Sequence, residues 1–328
     1  MFYHATKTKD LAQEERGSIL VLVALSLSVL LGLSALVTDL GVIYVNYAQL
    51  QNALDATVLA GAQELPNSTI QAQQVAKQYA SKNGVPEVAI GFDLNNLKIS
   101  ASAQKKVPAL FSKILGLTEN TITASSRAFM LPPSSLTGVV PLSVKEQNLS
   151  YGAEYSLKSG AGGEVDSGWY GALELDGPGA WDYQKFLTYG YSGTLSIGQV
   201  LQVEHGNMSG PTKKAIEDRL ATDTRTPRNT YDNHDRNAPE IVYVPIIRIK
   251  STSGSSVQEV MIVGFAAFFI EGVTGNGTES IIKGRFLKTL VVNGQATGSV
   301  AELRQNEANL EQGILSSDFG LYAPKLLS

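Results

Sequence analysis

The chain offers few residues able to do chemistry, and they are scattered. It holds three histidines, His4, His205 and His234, and no cysteine. Disulfides, thiolate nucleophiles and zinc–thiolate sites are therefore ruled out. A G-x-S-x-G nucleophile elbow is absent: Gly190-Tyr191-Ser192-Gly193-Thr194 fails at its last position. Ser102-Ala103-Gln104-Lys105 spells S-x-x-K, but it falls at the end of an expected strand, where the helical geometry of a Ser/Lys dyad is not available. Gly160-Ala161-Gly162-Gly163 and Gly177-Pro178-Gly179 complete no dinucleotide fingerprint and read as hairpin turns, and neither a P-loop nor H-E-x-x-H occurs. The best metal candidates are Asp232, His234 and Asp235 in the polar stretch Asp223–Pro239. Their spacing does not match an EF-hand, and Arg228 and Arg236 sit beside them, so a solvated loop is the simpler reading. Trp169, Trp181 and the tyrosines at 170, 183, 189 and 191 could form a carbohydrate-binding face, or could pack a core. No cofactor is expected, nor is an enzyme.

Composition narrows the class further. Hydrophobic residues make up 43% and charged residues 17% of the 328, and net charge is -4 with no block of like sign. A nucleic-acid footprint is not supported. Part of the low charge comes from one segment, residues 17–38 (GSILVLVALSLSVLLGLSALVT), which holds no charged residue at all. About 20 apolar residues cross a bilayer core, so the run is long enough to span. A buried soluble helix would keep a polar stripe, whereas this run is relieved by little beyond Ser26, Ser28, Ser34 and two glycines. A cleaved secretory signal would have a shorter apolar core of about 7–15 residues. A retained signal-anchor is expected, contacting the lipid bilayer. Lys7, Lys9 and Arg16 precede it, Asp39 and Asp55 follow, and the next cation is Lys77. Cations close to a span mark the cytoplasmic side, so residues 1–16 read as a cytoplasmic tail and the bulk as extracytoplasmic.

The helical pattern continues beyond the span through residues 39–65. Val42, Val45, Leu50, Leu54, Val58 and Ala62 form an apolar stripe, with no proline before Pro66. The small residues Ala48, Ala53, Ala56, Ala60, Gly61 and Ala62 allow close helix approach. The stripe could cover the protein's own domain or pack against partner subunits.

At these residues the sequence resembles the N-terminal module of TadG-like (TadE/TadG-type) proteins of bacterial Flp/Tad pilus assembly systems. The resemblance rests on Arg16-Gly17, the apolar run, Asp39-Leu40-Gly41, Tyr44, and Leu50-Gln51-Asn52-Ala53-Leu54-Asp55-Ala56-Thr57-Val58-Leu59-Ala60-Gly61-Ala62. The family pattern is close to L-Q-N-A-A-D-A-A-A-L-A-G-A, so this chain departs at Leu54, Thr57 and Val58. The resemblance covers about the first fifth of the chain, and more loosely the region to about residue 130. It implies a non-enzymatic, membrane-anchored envelope component with pilus or secretion assembly subunits as partners, and possible self-association through the helix. Position five after Gly17 is Leu22, not the glutamate of processed pilins, which favours an anchored component over a filament subunit. Some TadG-type proteins carry an Asp-x-Ser-x-Ser metal site, and that motif is missing here. A surface binding module, adhesin-like, on the same anchor is the alternative.

Residues 67–130 read as a small α/β unit. It has a helix over Thr69–Lys82 and a hairpin in which Val88, Ile90 and Phe92 face Leu97, Ile99, Ala101 and Ala103 across Asn95-Asn96. A short helix over Val107–Leu115 and a strand through Ile122, Ala124, Ser126 and Ala128 complete it. Residues 131–138 (LPPSSLTG) read as a linker. The remainder, 139–328, reads as β-rich. Strands are expected at Val139–Val144, Glu154–Lys158, Trp169–Leu175, Leu195–Val203, Glu240–Lys250, Val257–Val273 and Ile281–Val292. Helices are expected at Trp181–Thr188 and at Pro211–Leu220, the latter with Pro211 in first position. Val260–Ile270 is too short to span a membrane and suits a central buried strand. The stretch 302–315 looks exposed, and Phe319–Leu326 reads as an edge strand. The fold class is α+β: one transmembrane helix extended into a long helix, a small α/β sheet unit, then a β-rich domain.

Overall fold

A computed structural model describes residues 8–65, 67–116, 118–157, 169, 171–206, 208–275, 280–291, 294–296 and 318–327. His4, Tyr170, the Gly160–Gly163 turn and the 302–315 stretch lie outside the described residues. The chain opens with α1 (Thr8–Ala62), one helix of 55 residues. At 1.5 Å per residue it is about 80 Å long. It begins well before the uncharged run, so most of the segment read as a tail is already helical. α2 (Thr69–Lys82) follows a tight turn, its first turn capped by Ser68 Oγ accepting from Gln71 N at 3.2 Å.

Then come β1 (Ala89–Asp93), β2 (Lys98–Pro108) and β3 (Glu119–Leu131). β1 and β2 form the expected hairpin, turning through Leu94, Asn95 and Asn96 with left-handed backbone. Asparagine accepts that conformation more readily than most residues do. The helix expected over Val107–Leu115 is not formed. Val107 is buried and pairs with Asn120 at the end of β2, and only a 3-10 turn over Ser112–Leu115 remains. Cross-strand pairing overrode the local apolar spacing.

The segment 131–138 is not a loose linker. Leu131 ends β3, and Pro133–Leu136 forms β4, with Leu136 buried. Beyond it lie β5 (Val144–Lys145), β6 (Glu154–Leu157), α3 (Ala180–Tyr189), β7 (Leu195–Ser196), β8 (Val200–Gln202), α4 (Ser209–Leu220), β9 (Ile241–Ser253), β10 (Ser256–Thr274), β11 (Ile281–Leu287), β12 (Thr289–Leu290), β13 (Gly294–Ala296) and β14 (Leu321–Leu327). Among its described residues, the stretch expected as the strand Trp169–Leu175 forms only isolated bridges, Ala172 to Leu142 and Leu173 to Val203. Pro211 is the third residue of α4, still in the first turn where its missing N–H costs nothing.

β10 lies at the centre of a six-stranded sheet, β5-β9-β10-β11-β6 with β8 also on β10. Residues of β9 alternate between two cores. Val242, Val244 and Ile246 face α3 and α4, with Tyr183, Leu187, Ala215 and Ile216 opposite. Ile241 and Ile247 face the core that contains Leu136, Leu195 and Trp169. Burial on both faces explains the near-continuous apolar run of Val260–Ile270. A three-stranded sheet, β13-β4-β7, packs on the second of these cores.

The five-stranded sheet has the order β1-β2-β3-β14-β12. β14 is therefore not an edge: it pairs antiparallel with β3 and parallel with β12. α1 packs on this sheet, burying Leu50, Ala53, Leu54, Val58 and Ala62 in one core with Ile99, Ala128 and Phe129. β14 joins two cores by its alternation. Tyr322 enters the core under α1, while Leu321 and Ala323 enter the β-rich one.

Candidate functional site: the long helix and its two clamps

Within α1 the uncharged run leaves its apolar side chains exposed, and no residue of its most apolar window is buried by the protein. Its hydroxyls from Ser26 onward are satisfied within the helix. Ser26, Ser28, Ser34 and Thr38 each donate to the carbonyl four residues back at 2.8 Å. A segment with no unpaired polar group and an apolar surface is what a hydrocarbon environment tolerates. α1 carries one stretch long and apolar enough to cross a membrane.

Asp39, the first charge after this run, has turned inward. Its carboxylate accepts from the backbone N–H of Leu110 (3.1 Å), of Phe111 (3.1 and 3.2 Å) and of Ser112 (2.7 Å), and from Ser112 Oγ at 2.6 Å. The 3-10 turn Ser112–Leu115 has no side-chain cap of its own. Asp39 supplies one from a helix more than seventy residues earlier, the role a local Asp or Ser plays at ordinary helix starts. The Ser112 hydroxyl and N–H hold the carboxyl down at about 2, with Phe111 and Leu110 adding to the effect and partial burial opposing it.

The rest of the motif divides by face. Leu50, Ala53, Gly61 and Ala62 are buried. So are Leu54, Thr57 and Val58, all fully, and these are the three positions that depart from the family pattern. Gln51, Asp55, Ala56, Leu59 and Ala60 are half-buried, while Gly41 and Asn52 are exposed. Gln51 Nε2 donates to Asp55 Oδ1 (2.9 Å) and to the Ser125 carbonyl of β3 (3.1 Å). Gly61 is where α1 meets α2. A Cβ there would stand 2.5 Å from Ile99 Cδ1, 3.0 Å from the Ala72 carbonyl oxygen and 3.0 Å from Ala76 Cβ. Gly17 lies on α1 ahead of the exposed run. Val45, expected in the buried stripe, is exposed.

The far end of α1 is held by the polar stretch Asp223–Pro239. Arg236 Nη1 donates to Gln63 Oε1 at 2.9 Å, Nη2 donates to the Gln63 carbonyl, and Nη2 lies 3.6 Å from Glu64 Oε1. A guanidinium on the last carbonyls also complements the negative end of the helix dipole. The stretch itself is ordered by Asp223, which accepts from Arg225 N (2.9 Å), Asn229 N (3.0 Å) and Asn229 Nδ2 (3.0 Å). These N–H groups, that of Arg225 first, lower its pKa, while burial raises that of neighbouring Glu240.

The candidate metal residues do not converge. Asp232 is exposed, Asp235 pairs at 3.8 Å with Arg225, and His234 Nδ1 lies 2.8 Å from the Tyr231 carbonyl, the geometry of a ring N–H donating inward. Among the described residues no group of three His, Cys, Asp or Glu could hold a metal ion. Ser102 and Lys105 both lie on β2, where residues three apart point to opposite faces. His205 is exposed and far in sequence from His234. The aromatic set is split: Trp169 and Tyr183 are core residues, Tyr191 is half-buried, and Trp181 and Tyr189 are exposed. Sequence reasoning missed both clamps. In the sequence Asp39 reads as an orienting charge and a motif residue, and Arg236 as an argument against a metal.

Residues 17–64 match the model of a family described as putative Flp pilus-assembly TadE/G-like. The match begins at the uncharged run and ends in the turn that Arg236 clamps. No curated protein and no solved structure matches the chain.

Proposed function

We propose that this protein is a non-enzymatic, membrane-anchored component of the cell envelope that serves structurally in the assembly of a Tad-type pilus or secretion system. The observation that carries the reading is a coincidence of boundaries. The TadE/G-like match covers the exposed apolar run, the Asp39 clamp and the helix extension that carries the folded sheets. The N-terminus lies in the cytoplasm and the sheets outside, following the cations at Lys7, Lys9 and Arg16 against Asp39 and Asp55. Other assembly subunits are its partners.

The test is a Leu25→Arg, Leu31→Arg double variant expressed in place of the native chain. Each central arginine costs about 2.5–3.5 kcal/mol on insertion. The variant should no longer pellet with membranes after carbonate extraction, and the cells should lose Tad-dependent surface assembly. A variant that leaves the membrane fraction yet still supports assembly would refute the anchored role. One that stays in the membrane would place the anchor elsewhere.

A further inference from the structure

Two exposed apolar side chains sit where the uncharged run ends. Leu110 is 54% exposed and Phe111 45%. Neither joins any of the three buried cores. Their loop is fixed in place, because the backbone N–H groups of Leu110, Phe111 and Ser112 all end on the Asp39 carboxylate. Asp39 is the first charged residue after position 16. The loop is thus bonded to the helix at the level where the span gives way to polar surroundings. Over the next two turns α1 exposes Leu40, Tyr44, Val45 and Tyr47. Tyrosine is enriched at the membrane–water boundary, where its ring is buried and its hydroxyl hydrated. Lys113, exposed in the adjoining 3-10 turn, supplies a cation for headgroup phosphates. A carboxylate at this depth would be poorly tolerated if bare, but the Asp39 oxygens are occupied by four donors.

We propose that the Leu110–Phe111 loop is a second membrane contact, seated in the headgroup–acyl boundary of the bilayer that α1 spans. The inference rests on the anchor reading of the preceding subsection. Lipid is the occupant because the exposed apolar surface of the loop continues that of the uncharged run across the Asp39 bonds. Interfacial apolar groups typically enter by about 5–10 Å, a depth two side chains on a loop can reach. A single helix leaves tilt and rotation to its surroundings, and interfacial anchors fix both. Contact at the helix and at the loop therefore sets the angle at which the sheets are presented.

The absence of cysteine allows the test on the full chain. Single variants Leu27→Cys, Leu110→Cys, Phe111→Cys and Ile70→Cys are labelled with an environment-sensitive fluorophore and reconstituted in phosphatidylcholine–phosphatidylglycerol vesicles that carry quenchers at shallow or deep positions. Ile70 is 80% exposed at the start of α2, beside the far end of α1. The label at 27 should lose emission to deep quenchers and those at 110 and 111 to shallow ones, while the label at 70 keeps its emission with both. Quenching at 27 without quenching at 110 and 111 overturns the loop contact and leaves the anchor standing. Blue-shifted but unquenched labels at 110 and 111 mean a protein covers the loop, and also overturn it. No quenching at 27 removes the anchor reading, and the loop contact with it.

Discussion

The glycines of α1 offer a substitution whose sign should reverse along one helix. Replacing glycine by alanine in a helix interior gains about 0.8–1.0 kcal/mol from propensity alone. At Gly41 a new Cβ meets nothing within 4 Å, so Gly41→Ala should be neutral or stabilising by up to about 1 kcal/mol. At Gly61 the same Cβ would stand 2.5 Å from Ile99 Cδ1 and 3.0 Å from the Ala72 carbonyl oxygen. Ile99 is fully buried and has little room to rotate away, and the carbonyl belongs to the α2 backbone. Relieving the contact means pushing α2 off α1, and overpacking of this kind costs about 1–3 kcal/mol. The net effect of Gly61→Ala should be destabilisation by about 1 kcal/mol after the propensity gain is subtracted. Gly61→Val forfeits most of that gain, because a β-branched side chain is restricted in a helix, and should cost about 2–3 kcal/mol. Thermal unfolding of the full chain in detergent, followed by near-ultraviolet circular dichroism, reads the difference. A midpoint lowered by about 2–4 °C for each kcal/mol is the scale to expect. If Gly61→Ala proves as stabilising as Gly41→Ala, α1 and α2 are not in contact at that point and the packing argument fails.

Two further outcomes follow from the clamp and from the last strand. Asp39 titrates at about 2 in the folded protein against an ordinary 3.8, so its contribution is fully present above about 3.8 and is lost as pH falls through about 2. The Phe111 and Ser112 amide resonances should titrate with a midpoint near that lower value and stay still in Asp39→Asn; a midpoint at the ordinary value would show the loop is not held on the carboxylate. Deleting residues 319–328 removes β14 from between β3 and β12, so limited proteolysis should open 89–131, which the full chain protects; an unchanged cleavage pattern would mean that β1–β3 with the two helices folds without it.

Periodicity made much of this fold legible. The uncharged run and the apolar stripe beyond it marked α1, and two-residue alternation around Asn95-Asn96 marked the first hairpin. The uniform apolar run of Val260–Ile270 gave the central strand, buried on both faces. What escaped was set by partners distant in sequence. The stretch from Val107 to Leu115 spaces its apolar residues as a helix would, yet Val107 is claimed by Asn120 across the sheet and Leu110 and Phe111 are left outside. Pro132-Pro133 signals a break, but Pro133 opens a short strand, a position where its missing N–H does little harm. β14 looks like an edge strand because β3, the neighbour that covers most of its length, lies far earlier in the chain. Asp39 with Ser112, and Arg236 with Gln63, leave no local pattern at all.

The two faces of α1 also bear on where a partner subunit could sit. The small residues of the motif suggested a surface for helix association, but much of that surface is already occupied. Gly61 and Ala62 meet α2, and Ala53 lies in the core with Leu50 and Leu54. The departures Leu54, Thr57 and Val58 add bulk only on this inward side, where the sheet takes it up. What remains open beyond the span includes Leu40, Gly41, Tyr44, Val45, Tyr47, Gln49 and Asn52. Asp39 and Arg236 grip the helix at residues 39 and 63, about 36 Å apart along its axis. Between these points the helix is backed by the five-stranded sheet, and β14 carries that sheet into the β-rich core. The uncharged run is therefore joined to the β-rich core through packed strands and hydrogen bonds, and within residues 131–138, which read as a linker in the sequence, the chain is strand on both sides of Pro132.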